Sequence, residues 1–193
     1  MSLVATRLAA IKPSPTLAVS AKAAQLKAEG KDIIGLGAGE PDFDTPQFIK
    51  DAAVEAMRKG LTKYTPAGGT LSLKKAIIAK FKRDNGLDYT PKQVLVSCGG
   101  KHTSFNLCLA LLNPGDEVII PAPYWVSYPD MAVVAGAKPV FIAAGIEQGF
   151  KITAAQLEAA ITPKSRLVFI NSPSNPSAAV YTLEELKALG EVL

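Results

Sequence analysis

Apolar positions along the chain change period repeatedly. Ile33–Leu36 and Val94–Val96 are short β-branched or leucine-rich runs that suit buried strands. Glu117–Ile120, Lys138–Ile142 and Arg166–Ile170 read as three more. Between them the spacing becomes helical, over Ala18–Glu29, from Thr45-Pro46 to about Lys59, through the basic stretch after the 64–69 loop to about Asn85-Gly86, from Lys101 to Leu112, and over Ser127–Ala135. Thr45-Pro46 predicts an N-cap followed by proline at the first helical position. Thr153–Gln156 and Thr182–Glu185 have the form of capping boxes and predict two further helices. Strands alternating with helices predict an α/β fold with a mostly parallel sheet and flanking helices. Residues 1–16, with Pro13 and Pro15, read as an arm.

The densest chemistry lies where Val94–Val96 breaks over Ser97, Cys98, Gly99 and Gly100 into a helix. A strand turning over two glycines into a helix aims free backbone N–H groups, and the positive helix end, at one spot. That spot suits a phosphate, and Lys101 adds charge. Such a turn is also an ordinary connection. In parallel sheets ligands bind beyond the carboxyl ends of the strands. The loops expected on that rim hold Gly99–His102, Pro121–Trp125 and Asn171–Pro176. Trp125 sits in a proline-stiffened loop, where its indole either stacks on a flat ligand or packs over the core. Asn175, before Pro176, is kept out of helical conformation. Its amide either donates to a ligand oxygen or serves the turn.

Composition narrows the alternatives. The 193 residues are 48% hydrophobic and 20% charged with a net charge of +4, an ordinary globular balance. The basic stretch Lys74–Arg83 alternates with Ile77, Ile78 and Phe81, so it reads as a solvated helix face and not a nucleic-acid surface. No run approaches the roughly 18 apolar residues that span a membrane. Cys98 and Cys108 have neither zinc nor redox-pair spacing and read as reduced core residues of a cytoplasmic protein. His102 is the only histidine, which leaves no metal cluster and makes a hydrolase triad a poor reading. The dinucleotide fingerprint and the P-loop are both absent.

Taken together and in order, five loops are far more specific than any one. They are 37–46 (GAGEPDFDTP), 64–69 (YTPAGG), 99–102 (GGKH), 123–129 (PYWVSYP) and 171–176 (NSPSNP). With these the chain resembles the first half of a class I, fold-type I aminotransferase dependent on pyridoxal 5'-phosphate. The likeness is greatest to bacterial aspartate aminotransferases that often also accept prephenate.

That resemblance implies an N-terminal arm and part of a small domain over 1–45, and the start of the cofactor-binding large domain over 46–193. It implies that Gly100, Lys101 and His102 bind the cofactor phosphate, that Trp125 stacks on the pyridine ring and that Asn175 hydrogen-bonds its phenolic oxygen. Gly39 meets the substrate carboxylate, and Lys12 lies near the substrate in prephenate-accepting members. Tyr64 reaches the phosphate of a neighbouring subunit, which implies a homodimer. The substrates implied are aspartate or glutamate and a 2-oxo acid.

Three positions depart from the family pattern: His102 stands for glutamine, Lys74 for arginine, and Ala178 for a glycine. The family's Schiff-base lysine has no counterpart among these motifs, so this segment is expected to hold no catalytic residue of its own. It is expected to be inactive without a C-terminal half and to have an incomplete sheet. A non-catalytic cofactor-binding module and another fold-type I enzyme, such as a β-lyase, share the same motifs.

Overall fold

In the computed structural model, which describes residues 3–37 and 39–193, the chain divides into two units. One comprises residues 14–99, the other 1–13 with 100–193. Ala38, in the middle of the Gly37–Gly39 stretch, lies outside the described residues.

Residues 14–99 are helical. They contain α1 (Pro15–Ala28), α2 (Gln47–Arg58) and α3 (Leu71–Asn85). Ser14 caps α1 and Thr70 caps α3, each accepting a backbone N–H three residues on, and Gly86 ends α3 in the left-handed conformation. Thr45 is not the cap of α2. Pro46 takes that position without a side-chain bond, one residue later than the Thr-Pro signal implied.

The two strands expected here do not form. Ile33–Leu36 and Val94–Val96 carry no ladder among the described residues. Apolar alternation supplies a face, but a strand also needs a neighbour for its backbone. Val96 N–H instead donates to Gly68 O at 3.1 Å. Cys98, expected in a core, is exposed for the same reason, because no sheet covers the segment leading to it.

Residues 100–193 form the α/β layer structure. β1 (Glu117–Ala122), β2 (Lys138–Ala143) and β3 (Ser165–Val168) pair in parallel in the order β2-β1-β3. Side chains on β1 alternate, as the period of two requires. Val118 and Ile120 pack with Cys108 and Leu112 of α4 (Gly100–Leu111 and the residue after it) and with Met131 and Ala132 of α5 (Ser127–Val134). Ile119 points the other way, to Leu157 of α6 (Ala154–Ala160), Leu189 of α7 (Leu183–Val192) and Tyr181. Both capping boxes are present, on Thr153/Gln156 and Thr182/Glu185.

From β1 the chain moves to β2 through α5 on one face. It then returns past β1 to β3 through α6 on the other. Reversing direction moves the connecting helix to the opposite face, as a single crossover hand requires. The helices that follow β1 and β3 therefore diverge, and a crevice opens beyond the carboxyl ends of these two strands.

At the opposite end of the sheet, Glu117 ties the strands together. Its carboxylate accepts from Thr162 Oγ1 at 2.7 Å and from Lys138 Nζ at 3.5 Å. The threonine bond first, then the lysine, holds its pKa below the ordinary glutamate range. A carboxylate lowered in this way stabilises the fold above its unfolded pKa, and that contribution fades as pH falls through the lower folded value. Glu117→Gln should therefore flatten the fall in urea midpoint between neutral pH and the acid edge of the glutamate range, relative to wild type.

Candidate functional site

Three segments meet at the β1/β3 crevice: the N-terminus of α4, the loop after β1, and the loop after β3. The first turn of a helix has no intrahelical acceptor for its N–H groups and carries the positive end of the dipole. At α4 the approach to that turn is open. Gly99 has φ +93° and precedes Gly100, and a Cβ built on either meets no atom within 4 Å. Lys101 and His102 are the next two residues, both exposed.

The loop after β1 presents Tyr124 and Trp125. Lys101 Nζ stands 4.8 Å from the Trp125 ring centroid, a cation over an aromatic face. Lys101 and the indole, 24 positions apart in sequence, are thus neighbours. Tyr124 is stacked on Phe141 of β2 at 5.0 Å, which pins the start of this loop to the sheet.

The loop after β3 carries Asn175. Its backbone N–H donates to Asn171 Oδ1 at 2.9 Å. Ser174 N–H donates to Ala179 O, Ala178 N–H to Ser174 O, and Tyr181 N–H to Ser172 Oγ at 3.0 Å. Below the loop, the Tyr181 hydroxyl accepts from Ile152 N–H at 2.9 Å, while Lys151 bridges to both carboxylate oxygens of Glu185. Burial raises the Tyr181 pKa, so the hydroxyl stays neutral. These bonds define the loop locally and leave the Asn175 side chain exposed.

One position in this loop is strained. Ala178, where the family pattern has a glycine, has φ +58°. The left-handed region costs a residue with a Cβ roughly 1–2 kcal/mol. Ala178→Gly should accordingly raise stability by about 1 kcal/mol in urea unfolding.

Tyr128 and Phe169 were not singled out from the sequence. Tyr128 meets Trp125 edge-on at 5.4 Å and stacks on Phe169 at 4.4 Å. The legible signal was the three-residue spacing from Trp125 at a helix start, which puts two rings side by side. A hollow of about 20 Å³ lies between Tyr124, Tyr128, Asn171, Ser174, Asn175 and Tyr181. That is room for about one water. The hollow is too small to hold a flat ring.

Lys12 is exposed, just after a 3-10 turn (Thr6–Ala10) that packs against α5. Gly39 and Tyr64 belong to residues 14–99, where both are exposed, and no atom lies within 4 Å of a Cβ built on Gly39.

The residue set at the crevice fits a planar, phosphorylated ring. It offers an open glycine-lined helix end and an ammonium for the phosphate, an indole for the ring, and an amide for a ring oxygen. The model of the family described as aminotransferase class I and II matches residues 31–193.

The chain belongs to this aminotransferase family.

Relatives within it are similar over almost the whole chain. The aspartate/prephenate aminotransferase of Nitrosomonas europaea is 69% identical over 187 residues, which are 97% of this chain and 47% of that protein. The aspartate aminotransferase of Geobacillus stearothermophilus is 60% identical over 98% of this chain and 48% of its own length. Among solved structures, the aspartate aminotransferase of Rhizobium meliloti superposes with a TM-score of 0.95 at 51% identity, covering 100% of this chain and 48% of that one. The Thermus thermophilus aspartate aminotransferase with maleate gives 0.95 at 47% identity, covering 100% and 50%. The chain therefore spans about half the length of the aminotransferases it matches. With its three-stranded parallel sheet and flanking helices it is an incomplete fold-type I domain. Among the described residues no helix is long and apolar enough to cross a membrane.

Proposed function

We propose that this chain is the amino-terminal, cofactor-cradling part of an aspartate aminotransferase that also accepts prephenate. The complete enzyme moves an amino group between aspartate or glutamate and a 2-oxo acid. The observation that carries this reading is the Lys101 ammonium over the Trp125 indole at the open end of α4, beside the loop bearing Asn175. The 69% identity to a protein named aspartate/prephenate aminotransferase supports the substrate pair.

Pyridoxal 5'-phosphate, when bound, supplies the ring that draws electrons from the amino acid's α-carbon. This chain's residues do the holding. Gly100, Lys101 and His102 bind the phosphate at the α4 N-terminus, where an anion is favoured without further charge. Trp125 covers one ring face and excludes water from it. Asn175 donates a hydrogen bond to the phenolic oxygen, fixing the ring's rotation. Gly39 offers backbone to the substrate carboxylate, and Lys12 lies near the substrate. Tyr64 reaches the phosphate of the other subunit of a homodimer. Residues 1–45 serve as arm and part of a small domain, and 46–193 as part of the large domain, in a cytoplasmic enzyme. Proton movement at the α-carbon falls to a lysine supplied by the rest of the enzyme.

The chain alone should turn over no amino acid. Combined with the polypeptide that completes its relatives' length, it should consume a 2-oxo acid in proportion to aspartate added. Lys101→Ala should weaken cofactor binding about 10- to 100-fold, the worth of a charge-assisted hydrogen bond. Aspartate-independent loss of the oxo acid, or release of ammonia in place of a new amino acid, would assign the chain to a different reaction.

A further inference from the structure

We propose that Tyr128 is a positioning residue that sets the plane of the Trp125 indole. The proposal rests on the reading of Trp125 as the ring-stacking residue, and it adds a residue for which neither the motifs nor the family match supplies a role.

Tyr128 is attached to both loops of the crevice. Its backbone N–H donates to Trp125 O at 3.1 Å, closing the turn that starts α5. Its ring meets the indole at 5.4 Å with an interplanar angle of 84°, the edge-to-face arrangement that aromatic quadrupoles favour. On the other side it stacks on Phe169 at 4.4 Å and 15°. Phe169 is itself fixed to the sheet, because its N–H donates to Ile119 O of β1 at 3.0 Å. Tyr128 also lines the water-sized hollow with Asn171, Ser174 and Asn175. One half-buried side chain thus spans from the sheet, past the asparagine loop, to the indole.

Trp125 is also packed against the buried cluster that includes Cys108, Val118 and Met131, which limits how far the indole can move. A second contact on its ring, Lys101, is exposed and on a flexible stem. Such a cation follows the indole; it does not fix it. Pro123 stiffens the backbone before the indole but leaves its χ angles open. Among these contacts the Tyr128 ring is the one that meets the indole edge-on and is itself backed by a second ring, Phe169, so it sets the plane. The hydroxyl takes no part in either ring contact, so phenylalanine should serve equally well.

Trp125 is the only tryptophan, so its fluorescence reports on this site directly. In the full chain, without cofactor, Tyr128→Leu should enlarge the fast, local component of the Trp125 anisotropy decay by at least about twofold, the population change expected from losing one edge-to-face pair. Tyr128→Phe should match wild type. Far-UV circular dichroism checks that the helices persist. Where Tyr128→Leu fails that check, Phe169→Leu, which removes the stacking face behind Tyr128, is read in its place and should show the same mobility. A folded leucine variant with a wild-type decay overturns the proposal, as does a Tyr128→Phe variant as mobile as Tyr128→Leu. Titration with pyridoxal 5'-phosphate forms a separate arm. A wild-type chain completed to full length that fails to bind it would sink the aminotransferase reading, while the anisotropy result would still decide what orients the indole.

Discussion

Ile119→Ala should destabilise the α/β unit by about 2–5 kcal/mol in urea unfolding followed by Trp125 fluorescence, with the transition slope unchanged. Ile119 is 1% exposed at the centre of β1, with strands on both sides and α6 and α7 above it. Truncation removes three carbons from a layer whose other members, Leu157, Ile152, Tyr181 and Leu189, come from different elements. The backbone of β1 is held by β2 and β3, so the space cannot close. The loss is transfer free energy plus cavity. The same layer supports Tyr181, the floor of the Asn175 loop. Amide exchange in 171–181 should therefore rise in step with that of the strands. An exposed control, Phe141→Ala on the edge strand, should cost well under half as much, since Phe141 is half exposed and loses mainly its stack on Tyr124.

Gly69→Ala should cost about 2–4 kcal/mol in the helical unit, the sum of a strained backbone and a clash. Gly69 has φ +99°, and a Cβ built there lies 2.6 Å from Val96 Cγ2 and 2.7 Å from Val96 Cβ. A branched carbon that close cannot rotate out of the way. Val96 is held by its own N–H bond to Gly68 O, so relief requires that bond to lengthen or break. Hydrogen exchange at Val96 reads the effect directly and should accelerate far more than exchange in β1. If Gly69→Ala left protection at Val96 unchanged, the close approach of these segments would not hold in solution. Gly86→Ala, also left-handed but with no atom within 4 Å of the new Cβ, isolates the backbone cost and should lose only about 1–2 kcal/mol.

Much of the helical architecture was readable because its signals are local. The capping boxes at Thr153 and Thr182 each involve residues three apart, and Gly86 ends α3 by its own conformation. The three ladder-forming strands were readable because each is an apolar run bounded by turn formers. Ile33–Leu36 and Val94–Val96 carry the same kind of run and form no ladder, since pairing depends on a partner that no local pattern reveals. Cys98 was misplaced in a core by the same omission. Two loops of the candidate site follow β1 and β3 as expected, while the glycine turn was expected after a strand at Val94–Val96 that does not form; Lys101, Trp125 and Asn175 were candidates from the chemistry their loops carry. Tyr128 entered only as part of the 123–129 loop, with no role of its own.

By itself the sequence determined the alternation of strands and helices over residues 100–193, the glycine turn before α4, and the five loops that mark an aminotransferase. Each is a property of neighbours along the chain, fixed by backbone sterics, capping and residue chemistry. Tertiary structure alone decided the strand order β2-β1-β3, and with it the crevice beyond β1 and β3 at which the loops that follow those two strands meet. It alone set Lys101 over Trp125 and Tyr128 between Trp125 and Phe169. Those contacts join residues from separate elements, and their distances follow from how helices pack across a twisted sheet, which no window of sequence contains.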